Sequence, residues 1–199
     1  MNARDFALAF FMVNPHVTGS LLMMGIYLTV AVPLMFGAAH DDLPPTWKVQ
    51  TSKEGRFTVA MPGEPTRKTQ QVKTATGDLT VTLLCAEGRH DSFFVVSYSD
   101  FPPSDLKKGD EDKRLDQACK GAVESARGKL RGDEKPIKLA GKYPGREIVI
   151  EKKGQCVAKM RIYLVDNRLY QVMVLGAGPI FAPKEKDAGT FLDSFRLSK

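Results

Sequence analysis

A long uncharged segment near the start of the chain limits what the remainder can fold into. Between Phe6 and Ala39 there is no Asp, Glu, Lys or Arg, whereas charged residues are frequent from His40 onward. A helix needs roughly 20 mainly apolar residues to cross a bilayer, and residues 21–39 approach that length. The segment therefore predicts export or membrane anchoring, and it leaves residues 40–199 to form the folded part.

Small residues at the end of this segment predict a processing site. Gly37 and Ala39 occupy the two positions that a signal peptidase reads, so cleavage would follow Ala39. The alternatives are an uncleaved anchor that spans the membrane through residues 21–39, and a buried helix of a cytosolic protein. We expect an extracytoplasmic domain that is secreted, periplasmic or anchored in the cytoplasmic membrane.

The part that follows has the size of one domain. Residues 40–45 are polar and contain prolines, which predicts a linker, and residues 46–199 suffice for one hydrophobic core. Removal of residues 1–39 leaves the net charge at +6, because the charges of Arg4 and Asp5 cancel each other. A basic domain suits an anionic surface such as lipid headgroups, wall polymers or an acidic protein. A nucleic acid partner is not expected, since no aromatic and basic binding motif is present.

Alternation of apolar and polar residues predicts a series of short strands. The clearest pair covers residues 156–165 and 168–175, with Asp166 and Asn167 as the tight turn of a hairpin. The other predicted strands cover residues 56–61, 66–74, 79–86, 92–99, 136–140 and 146–152, with a turn at residues 142–145 before the last of them. The four predicted strands nearest the N-terminus, from residue 56 to residue 99, are joined by short links, which predicts one antiparallel meander.

Two helices are predicted where apolar residues recur every three or four positions. The longer one covers residues 110–131 and places Leu115, Cys119 and Leu130 on one stripe. The shorter one covers residues 183–195, has Ala188, Phe191, Leu192 and Phe195 on one face, and is followed by an edge strand at residues 196–197. The predicted fold class is therefore α+β, with helices covering an antiparallel sheet.

Short motifs spread along the chain add a resemblance to a known family. They are Trp47, FTVAMPGEP at 57–65, YSDFP at 98–102, GRE at 145–147, RIYLVDNRLYQV at 161–172 and FLDSF at 191–195. Residues 46–197 thereby resemble small exported bacterial domains of the PsbP-like fold. The resemblance implies an α/β/α sandwich with a central antiparallel sheet. It also implies a class of assembly, stabilising or binding modules without enzymatic activity, and no ion-binding residue carries over.

The three cysteines are the first candidates for chemistry. Cys85, Cys119 and Cys156 are not spaced as a C-x-x-C pair, which gives no support to a thioredoxin-like site or a zinc knuckle. We expect buried free thiols, while a disulfide between two of them stays open in an oxidising compartment. An enzyme with a reactive thiol would use Cys119 on the long helix, although its apolar stripe favours burial.

Few other residues could carry chemistry. His90 is the one histidine well inside the folded part, and its neighbours Asp91 and Ser92 fit a turn better than a catalytic triad. A metal-binding domain could combine His90 and Cys85 with one of the other cysteines, but the spacing is not typical of structural zinc. We therefore predict no catalytic residue, no metal and no cofactor.

Aromatic residues and cations are the candidates for binding. Loops and strand ends beside prolines concentrate binding residues, and the aromatic candidates there are Trp47, Phe101 and Tyr143. A basic row on the exposed side of the long helix would consist of Lys113, Lys120 and Arg127, which recur every seven residues. A solvated helix face explains this row as well.

Together these features favour a role in binding over a role in catalysis. We expect an exported or membrane-anchored binding or assembly module of the cell envelope, with a protein or another envelope component as its partner. The alternatives are an envelope enzyme with a reactive thiol and a metal-binding domain.

Overall fold

The structure is a computed structural model that describes residues 47–74, 77–89, 92–102, 109–152, 156–177 and 185–198. The expected leader with its site at Ala39, the linker and His90 lie outside the described residues. The helices are α1 (Glu111–Ala126) and α2 (Glu185–Ser194). The strands are β1 (Trp47–Ser52), β2 (Phe57–Pro62), β3 (Thr66–Thr74), β4 (Gly77–Glu87), β5 (Ser92–Asp100), β6 (Lys129–Leu130), β7 (Lys135–Leu139), β8 (Tyr143–Lys152), β9 (Cys156–Val165), β10 (Arg168–Ala177) and β11 (Arg196–Leu197).

These strands form two antiparallel sheets of unequal size. The smaller sheet has the order β1-β2-β11. The larger sheet has the order β3-β4-β5-β10-β9-β8-β6, and β7 also pairs with β8. In the described residues the predicted α+β class with an antiparallel sheet and two helices is confirmed, and the sheets make up more of these residues than the sequence pattern predicted.

The hairpin of β9 and β10 lies near the middle of the larger sheet. Val165 pairs with Arg168, so Asp166 and Asn167 alone form the turn. Asp166 adopts a positive φ of 53°, a conformation that Asp and Asn accept more readily than most residues. The predicted hairpin is confirmed, and β5 continues the sheet on the far side of β10.

The long helix ends earlier than its apolar stripe predicted. Glu111 and Asp112 occupy its first turn, where negative charge stabilises the helix dipole. Arg127 takes a left-handed φ of 49° at its end, and its backbone N–H donates to the carbonyl of Glu124. Beyond this cap the chain forms β6, so Leu130 does not belong to the buried stripe and is 40% exposed.

Each face of the larger sheet carries its own apolar layer. On one face α1 packs against β8 and β9. On the other face β2 and α2 pack together over the sheet. The first core cluster includes Leu115, Cys119, Ile148, Met160 and Met173. The second includes Phe57, Tyr98, Tyr170, Phe191 and Phe195.

The expected four-strand meander is wrong at its first strand. β3, β4 and β5 do form a meander, but β2 pairs with β1 and β11 in the smaller sheet. The turn after Pro62, where Gly63 has a positive φ of 71°, separates β2 from β3. β1 itself was not predicted, because Lys48, Val49 and Thr51 are exposed and give it no apolar alternation.

The turn before β8 lies three residues earlier than predicted. Ala140 and Gly141 have positive φ angles of 51° and 69°, and the backbone N–H of Lys142 donates to the carbonyl of Leu139. Tyr143 therefore begins the strand instead of standing in a loop. The last helix begins at Glu185 in the described chain, and its four predicted core residues are all buried. The closing strand β11 is confirmed.

Candidate functional site

The three aromatic candidates pack against the core at separate places. The Trp47 ring meets the Phe94 ring edge-on, with centroids 5.3 Å apart, and packs on the second core cluster. Tyr143 packs on the same cluster, with the Lys142 ammonium 4.7 Å from its ring centroid. Phe101 packs on the first cluster instead, across the sheet. The three rings therefore do not share one cluster, although each remains partly exposed.

The predicted basic row on α1 alternates with acidic side chains. Lys113, Lys120 and Arg127 are all exposed, as expected. Asp116 and Glu124, also exposed, fall between them on the same side of the helix, at spacings of three and four residues. The row therefore offers mixed charge to a partner, and Arg127 stands past its end, at the helix cap.

A denser group of cations lies along the outer edge of the larger sheet. Residues 127–142 contain only two acidic residues, Asp133 and Glu134. We call their exposed cations the basic edge, which consists of Arg127, Lys129, Arg131, Lys135, Lys138 and Lys142. The sequence pattern did not predict this group, because Lys129 and Arg131 were assigned to the helix end and the following strand was considered separately. A charge count over this stretch would have found it.

A buried arginine ties the turn between β1 and β2 to the larger sheet. Arg168 donates from Nε and Nη2 to the two carboxylate oxygens of Asp100, both at 2.6 Å, and from Nη1 to the Glu54 carbonyl at 2.8 Å. Its guanidinium lies 4.9 Å from the Tyr98 ring centroid. The bonds from Arg168 hold the pKa of Asp100 below its usual value. These contacts fix the turn and leave little freedom for chemistry.

A second network of charges lies between β8, β9 and α2. Arg161 donates to Glu147 at 2.8 Å and to Asp193 at 2.6 Å, and Lys159 lies 3.4 Å from Glu147. Burial by itself would raise the pKa of Glu147, but the bond from Arg161 and the charge of Lys159 outweigh it and lower that pKa. Glu147 is thus held as a carboxylate and joins strand to strand.

The end of α1 near its N-terminus is fixed by a third ion pair. Arg146 of β8 donates to Asp112 at 2.8 Å and to Asp116 at 3.4 Å. The Arg146 side chain is largely buried, whereas both carboxylates are mostly exposed. This contact positions the helix on the sheet.

The three thiols have none of the properties of an activated nucleophile. Burial, with a smaller contribution from Glu134, raises the pKa of Cys119 to about 12. Burial also raises the pKa of Cys85 and of Cys156. All three are free thiols, and a nucleophilic cysteine needs a lowered pKa and access to solvent. The geometry therefore gives no support to the thiol-enzyme alternative.

The described part of the chain lacks both a metal-binding cluster and a helix able to span a membrane. It contains no group of three or more His, Cys, Asp or Glu residues that could hold a metal ion. Neither α1 nor α2 has the length and apolar character that a membrane-crossing helix requires.

Comparison with known proteins gives a likeness among solved structures. No family model matches the chain, and no curated protein matches it. Among solved structures, it is similar to the solution structure of cyanobacterial PsbP (CyanoP) from Synechocystis sp. PCC 6803, with a TM-score of 0.49 and 12% identity, over 81% of this chain and 98% of that one. This neighbour carries the name of the family that the sequence motifs resemble.

Proposed function

We propose that this chain is a non-catalytic binding or assembly module of the cell envelope, built as a PsbP-like α/β/α sandwich and either exported or anchored through residues 21–39. A contrast between its charged groups carries the proposal. Arg146, Arg161 and Arg168, whose side chains are largely buried, are each paired with carboxylates of the same domain. The basic edge is exposed, and it forms no ion pair with another described residue. Charge that the fold does not use is available to a partner.

The envelope location is tested with a reporter enzyme that is active only after export. Alkaline phosphatase joined after residue 45 should be active in intact cells, whereas the same fusion lacking residues 1–39 should be inactive. Sequencing of the N-terminus then separates the two forms: a start at His40 shows cleavage, and an intact leader in the membrane fraction shows an anchor. An inactive full-length fusion would contradict the proposal.

The binding role is tested by cross-linking the chain in intact cells and isolating its adducts. We expect a reproducible adduct with one envelope component, and less of it when Lys129, Arg131, Lys135 and Lys138 are replaced by glutamine. Substrate turnover by the purified protein, together with no adduct, would contradict a binding role.

The thiol-enzyme alternative is tested by alkylation. Since burial raises the pKa of every cysteine, iodoacetamide at neutral pH should leave the native chain unmodified over the time in which it labels the unfolded chain at all three cysteines. Rapid labelling of Cys119 in the native protein would revive the alternative.

A further inference from the structure

We propose that the basic edge docks the domain on the anionic phospholipid headgroups of a membrane surface. The inference rests on the envelope location proposed above and specifies the partner of the exposed cations. It concerns a surface of the folded domain, and so it holds whether the leader is cut or kept.

The shape of the edge suits a plane. The backbone N–H of Arg131 donates to the Val149 carbonyl at 2.8 Å, so the chain follows β8 beyond the two residues of β6. After an excursion at Gly132, where φ is +80°, the chain returns to β8 as β7. The edge therefore extends along most of β8, a length of roughly 30 Å at about 3.4 Å per residue. Cations spread along such a line can contact several headgroups at once.

The composition of the edge also suits lipid headgroups. Asp133 is its exposed anion, while Glu134 is partly buried beside Cys119. Leu130 stands between Lys129 and Arg131 and is 40% exposed, which is unusual for a large apolar residue of this domain. Cations that flank an exposed apolar side chain are typical of surfaces that rest on the interface of an anionic bilayer.

The N-terminal end of the domain lies at the same level of the sheet as the basic edge. Trp47 packs on Phe94. Across the larger sheet, Phe94 pairs with Val174, Val174 with Lys159 and Lys159 with Val149. The Val149 carbonyl accepts the hydrogen bond from Arg131. Four strand spacings of about 4.8 Å separate Phe94 from this edge, or about 19 Å. Seven residues, the length of 40–46, can span at most roughly 23 Å, so a leader left in the bilayer would permit contact between the basic edge and the headgroups.

Protection of the sheet edge and recognition of an acidic protein are two different roles that the same cations could serve. Lysines on an edge strand prevent pairing with other sheets, and this protective role predicts no preference for anionic lipid. An acidic protein partner would need the same cations, but it predicts binding to an acidic polypeptide and no preference between vesicles. The exposed leucine and the length of the edge favour the lipid surface.

The test uses the full chain, purified as the host produces it, with vesicles of phosphatidylcholine alone or with about 30% phosphatidylglycerol. The measured quantity is the ratio of bound protein on anionic to neutral vesicles, because an intact leader would raise binding to both. The edge variant carries Lys129→Gln, Arg131→Gln, Lys135→Gln and Lys138→Gln. The matched control carries Lys53→Gln, Arg56→Gln, Lys68→Gln and Arg89→Gln, which remove the same charge from exposed positions elsewhere.

Each cation near an anionic surface contributes roughly a fivefold change in affinity, so the edge variant should lose tenfold or more of the anionic preference. The control variant should keep most of it, and salt near 0.5 M should abolish it in the unaltered chain. Equal losses in both variants would reduce the effect to net charge and overturn the proposal. So would an unaltered chain that binds polyglutamate but does not prefer anionic vesicles. If either of these two results is obtained while the export reporter is active, the docking proposal fails and the proposed envelope location stands.

Discussion

Two neighbouring buried tyrosines differ in the hydrogen bonding of their hydroxyl groups. Tyr98 and Tyr170 face each other across β5 and β10, with ring centroids 6.5 Å apart, and both are buried. The Tyr170 hydroxyl donates to the Gly55 carbonyl at 2.7 Å and helps to fix the turn between β1 and β2. The buried Tyr98 hydroxyl has no hydrogen-bond partner among the described residues.

Removing each hydroxyl should therefore have unequal effects on stability. Tyr170→Phe should lower the free energy of unfolding by about 1 to 2 kcal/mol, because a buried carbonyl loses its donor. Tyr98→Phe should change it by less than about 0.5 kcal/mol or raise it, since no bond is lost. Denaturation in urea measures both. Equal losses in the two variants would show that the Tyr98 hydroxyl is bonded in solution.

Asp100 should make stability depend on pH in acid. Its pKa is lowered in the folded state, mainly by the bonds from Arg168, so its contribution is complete above the unfolded value near 3.9 and is lost as pH falls below that value. The difference in unfolding free energy between the unaltered chain and Asp100→Asn should be constant above about pH 5 and shrink below about pH 4. The pH-dependent contribution of Glu147 is the same in both proteins and cancels in this difference.

The same comparison in an Arg168→Gln background provides the control. Without the guanidinium the pKa of Asp100 should return toward its ordinary value, and the difference between Asp and Asn should no longer vary with pH. A difference that shrinks equally in both backgrounds would mean that Arg168 is not the cause.

At the scale of elements, local pattern was enough to find most strands but not their partners. Local pattern identified β3, β4, β5, β9 and β10, although nearly all of β5 and β9 is buried and β3 is mostly exposed. The pairing of β2 with β11 joins Phe57 to Leu197, and no local pattern reports a contact over that distance in sequence. The basic edge was missed for a different reason: its cations are close in sequence, but Lys129 and Arg131 were assigned to the end of the helix and not to a strand that pairs with β8.

The end of α1 was mispredicted because the apolar spacing happens to continue. Leu130 follows Ala126 by four residues and fits the stripe, yet the helix ends at Ala126, and Gly128 lies between the two residues. A Cβ at Gly128 would lie 2.9 Å from the Glu151 carbonyl oxygen, so the chain crosses β8 closely there. Glycine near the end of a helical pattern is a stop signal, and it was the better guide here.

Close contact between strands makes one glycine of β8 sensitive to substitution. A Cβ at Gly145 would lie 2.5 Å from the Ile162 carbonyl oxygen and 2.5 Å from Cδ1 of Tyr163. Gly145→Ala should therefore lower the free energy of unfolding by about 2 kcal/mol or more. In α1, Gly121 has open space around its Cβ position. Gly121→Ala should raise stability by about 0.5 to 1 kcal/mol, and thermal denaturation compares the two. A harmless Gly145→Ala would contradict the packing of β8 on β9.

At the scale of the molecule, one sheet carries two cores that do not share side chains. Phe195, at the end of α2, packs on Phe57 of β2 at 5.3 Å and on Tyr170 of the larger sheet at 5.4 Å. It thus joins α2, the smaller sheet and the larger sheet. Ile148 belongs to the other core, beneath α1. The strands are common to both layers, and so we expect one cooperative unfolding transition.

Separate cores joined by one sheet should give energies that add across the sheet but not within a core. Phe195→Leu, Phe57→Leu and Ile148→Val should each lower the free energy of unfolding by about 1 to 2 kcal/mol. Phe195→Leu with Ile148→Val should equal the sum of the single changes within about 0.5 kcal/mol, because the two side chains lie on opposite faces. Phe195→Leu with Phe57→Leu should depart from its sum by more, because the rings touch. Strong coupling across the sheet would mean that its strands shift when either core is altered, and the faces could not be treated as independent surfaces for binding.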